Sequence, residues 1–129
     1  MPRDVIAVVF GAAVGTALRL AIDSALPHAD NEFPLSTLVI NCVGAFVLGA
    51  LISRVWGTAP DWLKAGLGPG LLGSFTTFSA VAVSLVSLAA ANEWMTALGY
   101  LGLTLVLGLA AAGLGLVLGK PTPTPEYEE

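Results

Sequence analysis

The stretch "GLLGSFTTFSAVAVS", residues 70–84, decides the fold because it sets helix-weakening residues in an apolar background. It lies inside an uncharged run from 65 to 92, follows Pro69, and carries five hydroxyl side chains and two phenylalanines. Proline removes a backbone donor, and the glycines nearby weaken helical winding. Irregular backbone inside a membrane is tolerated where it is buried in protein or lines a cavity. We therefore expect a transmembrane helix that is broken here.

The composition indicates a membrane protein. Of 129 residues, 56% are hydrophobic and only 11% are charged, too few charges to cover the surface of a soluble domain. No basic patch exists, so nucleic acid is not expected as a partner. Because further apolar segments follow the first one, we expect that segment to be a span and not a removed leader.

Uncharged runs predict an all-α protein with one four-helix transmembrane domain over residues 1–120. The first span is long enough only if Arg19 is accepted within the helix or at its end. The proline-rich tail, residues 121–129, is predicted to be disordered. The four spans are expected at about residues 4–26, 33–55, 64–91 and 94–118.

The charged residues predict an orientation. An even number of spans places both termini on one side, which also carries most of the basic residues, whereas the other side is acidic with Arg19 as its only candidate base. The positive-inside rule then predicts that both termini are cytoplasmic and that the chain inserts predominantly one way. The basic residues on the side of the termini are Arg3, Arg54, Lys64 and Lys120.

Polar side chains inside the spans are candidate functional residues, because lipid disfavours them. Thr37 and Asn41 share one face of the second helix, and the asparagine amide offers two N–H donors. Tyr100 and Thr104 form a similar stripe on the fourth helix. An alternative for both pairs is that they hold neighbouring helices together. Arg19 either extends its charged group to the interface or supplies positive potential near a pore mouth.

The third span offers two kinds of ion ligand. A broken helix frees backbone carbonyls, whose partial negative charge suits a hard cation such as Na⁺. Its hydroxyls are donors that suit an anion, and phenylalanine rings present electropositive edges. The alternative is an ordinary proline kink that Ser and Thr side chains repair. The hydroxyl residues concerned are Ser74, Thr76, Thr77 and Ser79.

Three segments together resemble the Fluc (CrcB) family of bacterial fluoride channels: "GAAVGTALRL" at 11–20, "NCVGAFVLG" at 41–49 and "GSFTTFS" at 73–79. The resemblance covers all four spans in order. It implies four-helix subunits that pair antiparallel into a dual-topology dimer. It also implies two narrow fluoride pores between the subunits and a structural Na⁺ ion at the dimer centre.

The resemblance also implies roles for particular residues of this chain. The backbone carbonyls of Gly73 and Thr76 would hold the Na⁺ ion, and Arg19 matches the arginine of the family's first helix, a structural or pore-mouth position. The residues implied to face fluoride are Asn41, Phe78, Tyr100 and Thr104.

The sequence departs from the family pattern at two positions. Val81 stands where the family has a second phenylalanine, so one aromatic contact to fluoride would be absent from this subunit. Gly108 stands where a further hydroxyl would extend the polar track. Together with the charge bias, Val81 favours pairing with a paralogous subunit of opposite orientation over pairing with a second copy of this chain.

The expected function is passive, fluoride-selective conduction that exports fluoride across the bacterial cell membrane and so reduces its toxicity. No carboxylate lies mid-span to couple transport to protons, and no nucleophile–base pair indicates an enzyme, since Cys42 lacks a base and His28 lies in a loop. One alternative is a small multidrug-resistance-type exporter, which needs a membrane-embedded carboxylate. The other is a non-transporting scaffold subunit, which would leave the broken third span unexplained.

Overall fold

The computed structural model describes residues 2–29 and 31–120, and every regular element in those ranges is helical. Four helices are long and apolar enough to cross a membrane, which confirms the predicted all-helical class and the number of spans. The tail that was predicted to be disordered, residues 121–129, lies outside the described part of the chain.

The described residues form six α-helices and one π-helical stretch, here called the π segment. In chain order the elements are α1 (Pro2–Ala25), α2 (Leu35–Arg54), α3 (Asp61–Ala65), the π segment (Gly66–Leu72), α4 (Gly73–Phe75), α5 (Phe78–Ala90) and α6 (Trp94–Leu118). Helix α1 is the first span, α2 the second and α6 the fourth, whereas the third span, Asp61–Ala90, consists of α3, the π segment, α4 and α5.

Local chemistry explains where the third span begins and how it connects to the fourth. Extended Pro60 (φ −67°, ψ 157°) precedes α3, so the helix begins at Asp61, three residues before the predicted start at 64. The Asp61 carboxylate is favoured in a first helical turn by the helix dipole. The turn between α5 and α6 contains Asn92 at φ 59°, a left-handed conformation that asparagine tolerates. Such a short turn makes α5 and α6 antiparallel neighbours.

Glycines bring two pairs of spans into backbone contact. A Cβ atom on Gly11 or Gly15 of α1 would overlap backbone atoms of Leu71, so α1 lies directly against the third span. A Cβ atom on Gly49 of α2 would overlap the carbonyl oxygen of Ala112 on α6. Small residues allow this close approach of helices in a membrane, where packing rather than hydrophobic burial drives association.

One cluster of buried apolar side chains lies where α2, α5 and α6 meet. Leu38, Val81 and Tyr100 form it, and the half-buried Cys42 packs against it. The Phe33 ring meets the Tyr100 ring edge-on, with centroids 5.4 Å apart. Large apolar side chains elsewhere on α1 and α6 are exposed, which is the surface expected of helices that face lipid or a second subunit.

Candidate ion-binding site at the break in the third span

The third span changes its winding around Pro69. Proline has no N–H group to donate, and the helix widens to the π form over Gly66–Leu72. Regular winding then returns only as far as Phe75. Thr76 (φ −78°, ψ 153°) and Thr77 (φ −147°, ψ 117°) are extended, and the next helix begins at Phe78. The Thr76 N–H still donates to the Leu72 carbonyl at 3.0 Å, whereas the backbone groups of Thr77 need partners from outside the helix.

Asn41 on α2 supplies those partners to Thr77. The Thr77 N–H donates to the Asn41 Oδ1 atom at 2.8 Å, and the Asn41 Nδ2 atom donates to the Thr77 carbonyl at 3.0 Å. These two hydrogen bonds join α2 to the third span, as expected under the alternative in which the Asn41 amide holds neighbouring helices together. Because the amide has two N–H groups, one of them remains for a further acceptor.

The Thr77 side chain caps the helix that follows. Its Oγ1 atom accepts a hydrogen bond from the Ala80 N–H at 3.1 Å, and its hydroxyl lies 3.1 Å from that of Ser79. A threonine with extended backbone is a favourable residue immediately before a helix, because its oxygen satisfies a donor of the first turn. The sequence interpretation treated this hydroxyl as an anion donor and missed its capping role. The sequence signal for it is a threonine that comes immediately before an apolar helical run.

The two carbonyls predicted to hold a cation have lost their helical donors. In a continuous helix the Thr77 N–H would donate to the Gly73 carbonyl, and the Ala80 N–H would donate to the Thr76 carbonyl. Both donors are directed to side-chain oxygens instead. The Thr76 hydroxyl donates to the Leu72 carbonyl at 2.8 Å, so it serves the preceding turn. The arrangement leaves the Gly73 and Thr76 carbonyl oxygens without the donors that a continuous helix would give them.

A cavity of about 300 Å³ lies beside the break, between α2, the third span and α6. Three of the four residues predicted to face fluoride line it: Asn41, Phe78 and Thr104. The Phe78 ring is 85% exposed, and the Thr104 hydroxyl is buried without a hydrogen-bond partner among the described residues. The full lining is Asn41, Thr76, Thr77, Phe78, Val81, Leu101, Thr104 and Leu105.

Tyr100, the fourth of these residues, is not part of the cavity wall. Its side chain is fully buried, and within residues 2–29 and 31–120 its hydroxyl has no partner in hydrogen-bonding geometry. The hydroxyls of Thr37 and Thr104 lie close to it. The structure therefore places Tyr100 in the core next to Thr104 rather than in the wall of the cavity.

Of the two departures from the family pattern, Val81 lies at the cavity and Gly108 does not line it. Val81 is 4% exposed and packs in the core, yet it also lines the cavity, where it fills less volume than phenylalanine. A Cβ atom on Gly108 would meet no heavy atom within 4 Å. Neither position supplies a polar or aromatic side chain to the cavity.

Arg19 lies at a second, smaller cavity of about 110 Å³. Its Nε atom is buried without a hydrogen-bond partner in the described part of the chain. Thr77 lines both cavities, so a guanidinium group flanks the break on one side and the Asn41 amide flanks it on the other. Asp23, which also lines the smaller cavity, accepts a hydrogen bond from the Ser36 hydroxyl at 2.8 Å, a link between α1 and α2 that the sequence interpretation missed.

Comparison with known proteins identifies a matching family and several relatives of this chain. A family model, "CrcB-like protein, Camphor Resistance (CrcB)", matches residues 6–116. The protein named "Fluoride-specific ion channel FluC 1" in Listeria monocytogenes serotype 4b (strain F2365) is 41% identical over 111 residues, 85% of this chain and 92% of the relative.

Two further relatives span nearly the whole chain. The protein named "Fluoride-specific ion channel FluC 1" in Leifsonia xyli subsp. xyli is 40% identical over 129 residues, 96% of this chain and 93% of the relative. The protein named "Fluoride-specific ion channel FluC" in Paracoccus denitrificans is 36% identical over 120 residues, 93% of this chain and 97% of the relative. These matches confirm the resemblance that the three sequence segments indicated.

Proposed function

We propose that this chain, which belongs to the CrcB-like protein family, forms a fluoride-selective ion channel through which fluoride moves passively. Its relatives are named as fluoride-specific ion channels, so the comparisons support a channel and not an enzyme. The observation that carries the proposal is the cavity of about 300 Å³ in which Asn41, Phe78 and Thr104 converge beside the break.

The anion would be bound by donors that replace its water. Stripping water from a small anion is costly unless hydrogen-bond donors compensate. The free N–H of Asn41 and the unpartnered hydroxyl of Thr104 are such donors, and the exposed Phe78 ring adds an electropositive edge. Selectivity would follow from the spacing of these donors, since a larger halide fits closely spaced donors less well.

Passive conduction would export fluoride from the cytoplasm of a bacterial cell. A membrane potential that is negative inside drives an anion outward, by about 2.3 kcal/mol per charge for each 100 mV. The acidic residues of the described ranges lie near helix ends or in loops, which disfavours a proton-coupled exporter. These residues are Asp4, Asp23, Glu32, Asp61 and Glu93.

A structural Na⁺ ion at the break is the second part of the proposal. The carbonyl oxygens of Gly73 and Thr76 fit a hard cation, because their helical donors are directed to Asn41 and Thr77. Two oxygens do not complete a coordination shell, so a second subunit would supply the rest. The ion would contribute fixed positive charge near the anion path.

The proposed assembly is an antiparallel dimer surrounded by lipid. Phe78 is 85% exposed in this subunit, so its ring is available to a partner across the interface. The absence of an aromatic side chain at Val81 favours a paralogous subunit of opposite orientation, which would complete the aromatic contacts.

Fluoride efflux from liposomes tests the assigned site. We expect Phe78→Ile and Asn41→Asp each to slow efflux, because the first removes the aromatic edge and the second removes the amide donors. The matched control is Phe10→Ile on α1, whose ring is 74% exposed and does not line the cavity. Unchanged efflux in both site variants would reject the assigned pore.

A further inference from the structure

We propose that Asn41 and Thr77 build the cation site by diverting two backbone donors, and so uncover the carbonyl oxygens of Gly73 and Thr76. The inference rests on the proposed function, because the Na⁺ ion is part of that proposal. It explains the break in the third span by the diversion of these two donors. Neither side chain needs to touch the cation, so both are positioning residues.

Asn41 controls the first carbonyl. Its Oδ1 atom accepts a hydrogen bond from the Thr77 N–H at 2.8 Å, and its Nδ2 atom donates one to the Thr77 carbonyl oxygen at 3.0 Å. An N–H group that is left unpaired in a membrane interior is strongly disfavoured. If the amide is removed, the Thr77 N–H has the Gly73 carbonyl, four residues earlier, as its helical acceptor. Helix α4 would then extend and cover the Gly73 oxygen.

Thr77 controls the second carbonyl. Its Oγ1 atom accepts from the Ala80 N–H at 3.1 Å and thereby caps α5. Without the hydroxyl, the Ala80 N–H has the Thr76 carbonyl as its helical acceptor. Helix α5 would then extend backwards and cover the Thr76 oxygen.

The two diversions act from opposite sides of one break. Each removes one helical hydrogen bond and uncovers one ligand, so both are needed for two exposed oxygens. Asn41 also lines the cavity that we assign to fluoride, as does Thr77. The cation site and the anion path therefore depend on the same two residues. A change at either residue would affect both sites, although the two ions do not touch.

Sodium-dependent thermal unfolding of the purified protein tests the inference at constant ionic strength, with potassium replacing sodium. For Thr77→Val, we expect the sodium concentration for half-maximal stabilisation to rise roughly 10- to 100-fold, as for losses of supporting residues at metal sites. Thr77→Ser keeps the hydroxyl and should respond like the wild-type protein. The matched control is Thr58→Val, whose exposed hydroxyl donates to the Val55 carbonyl away from the break, and it should also respond normally.

Asn41 variants test the other carbonyl and keep the inference falsifiable if Thr77→Val does not fold. Asn41→Leu removes both polar groups at similar volume and should raise the required sodium concentration by a similar factor. Asn41→Asp keeps an oxygen that can accept from the Thr77 N–H, so its sodium response should persist. Loss of the response in Asn41→Asp, or its persistence in Asn41→Leu, would count against the inference.

The outcomes separate this inference from the proposed function. If the wild-type protein responds to sodium and Thr77→Val responds at the same concentration, the inference is overturned and the sodium site stands. If the wild-type protein does not respond to sodium, the inference and the proposed sodium site are both overturned, and the proposed fluoride channel is not affected. Fluoride efflux is measured separately, so a protein that responds to sodium and releases no fluoride overturns the channel alone.

Discussion

At the scale of single residues, the fold leaves polar groups without partners in the cavity wall, in the core next to it and at the smaller cavity. The hydroxyls of Thr104 and Tyr100 and the Nε atom of Arg19 are buried without hydrogen bonds in the described ranges. Buried polar groups in native proteins are nearly always bonded, so the Thr104 hydroxyl, which lines the cavity, is a candidate donor to a ligand there. Under the proposed function, that ligand is the fluoride anion.

Thr104 gives the clearest residue-scale prediction. We expect Thr104→Val to reduce fluoride efflux roughly tenfold, because a lost donor worth about 1.4 kcal/mol raises the barrier by that factor. Its unfolding free energy should stay unchanged or rise by about 1 kcal/mol, since a buried hydroxyl without a partner is removed. Efflux and thermal unfolding of the same preparation measure both effects.

Tyr100→Phe is the control for that prediction. It removes a hydroxyl that is equally unpartnered but does not line the cavity, so efflux should fall less than in Thr104→Val. A larger loss in Tyr100→Phe would show that the hydroxyl of the tyrosine, and not that of the threonine, meets the anion.

At the scale of elements, the sequence predicted part of the third span. Pro69 and the neighbouring glycines are local features, so weakened winding around them could be inferred from sequence alone. The hydrogen bonds between Asn41 and Thr77 join residues 36 positions apart, and no local pattern indicates such a pair. The sequence interpretation therefore identified Asn41 but not the backbone groups that it binds.

The contact between α1 and the third span gives a prediction at this scale. A Cβ atom on Gly15 would overlap the Leu71 carbonyl in the π segment. We expect Gly15→Ala to lower the unfolding free energy by about 1–3 kcal/mol, the usual cost of overpacking. The matched control is Gly113→Ala on α6, where a Cβ atom meets nothing within 4 Å and the change should be below about 1 kcal/mol. Equal effects in both variants would contradict the packing.

At the scale of the whole molecule, the charges of the loops predict how the chain inserts. Arg3, Arg54 and Lys64 lie in the terminal turns of their spans and Lys120 follows α6, so four alternating crossings would place all of them on the same side of the membrane. Composition and spacing were sufficient to predict four spans, because apolar length is a property of the sequence itself. The identity of the second subunit depends on another chain and could not be inferred in the same way.

The bias in charge leads to a prediction about assembly. Expressed alone, the chain should insert mostly with both termini in the cytoplasm, and it should conduct fluoride poorly until a subunit of opposite orientation is supplied. A fluorescent reporter that folds only in the cytoplasm, fused to the C-terminus, measures the orientation. Replacing Arg54 and Lys64 with glutamate should produce both orientations. Robust fluoride efflux from the chain alone would contradict the requirement for a different partner.

The most direct test of fluoride conduction follows fluoride and chloride release from the same liposomes with ion-selective electrodes. The liposomes contain the purified chain, alone or together with a paralogous subunit, and a potassium ionophore sets the membrane potential. We predict that fluoride leaves rapidly in the paired sample, without a proton gradient, while chloride stays inside. The account would be contradicted if the paired sample released fluoride no faster than protein-free liposomes, or if it released chloride at the same rate as fluoride.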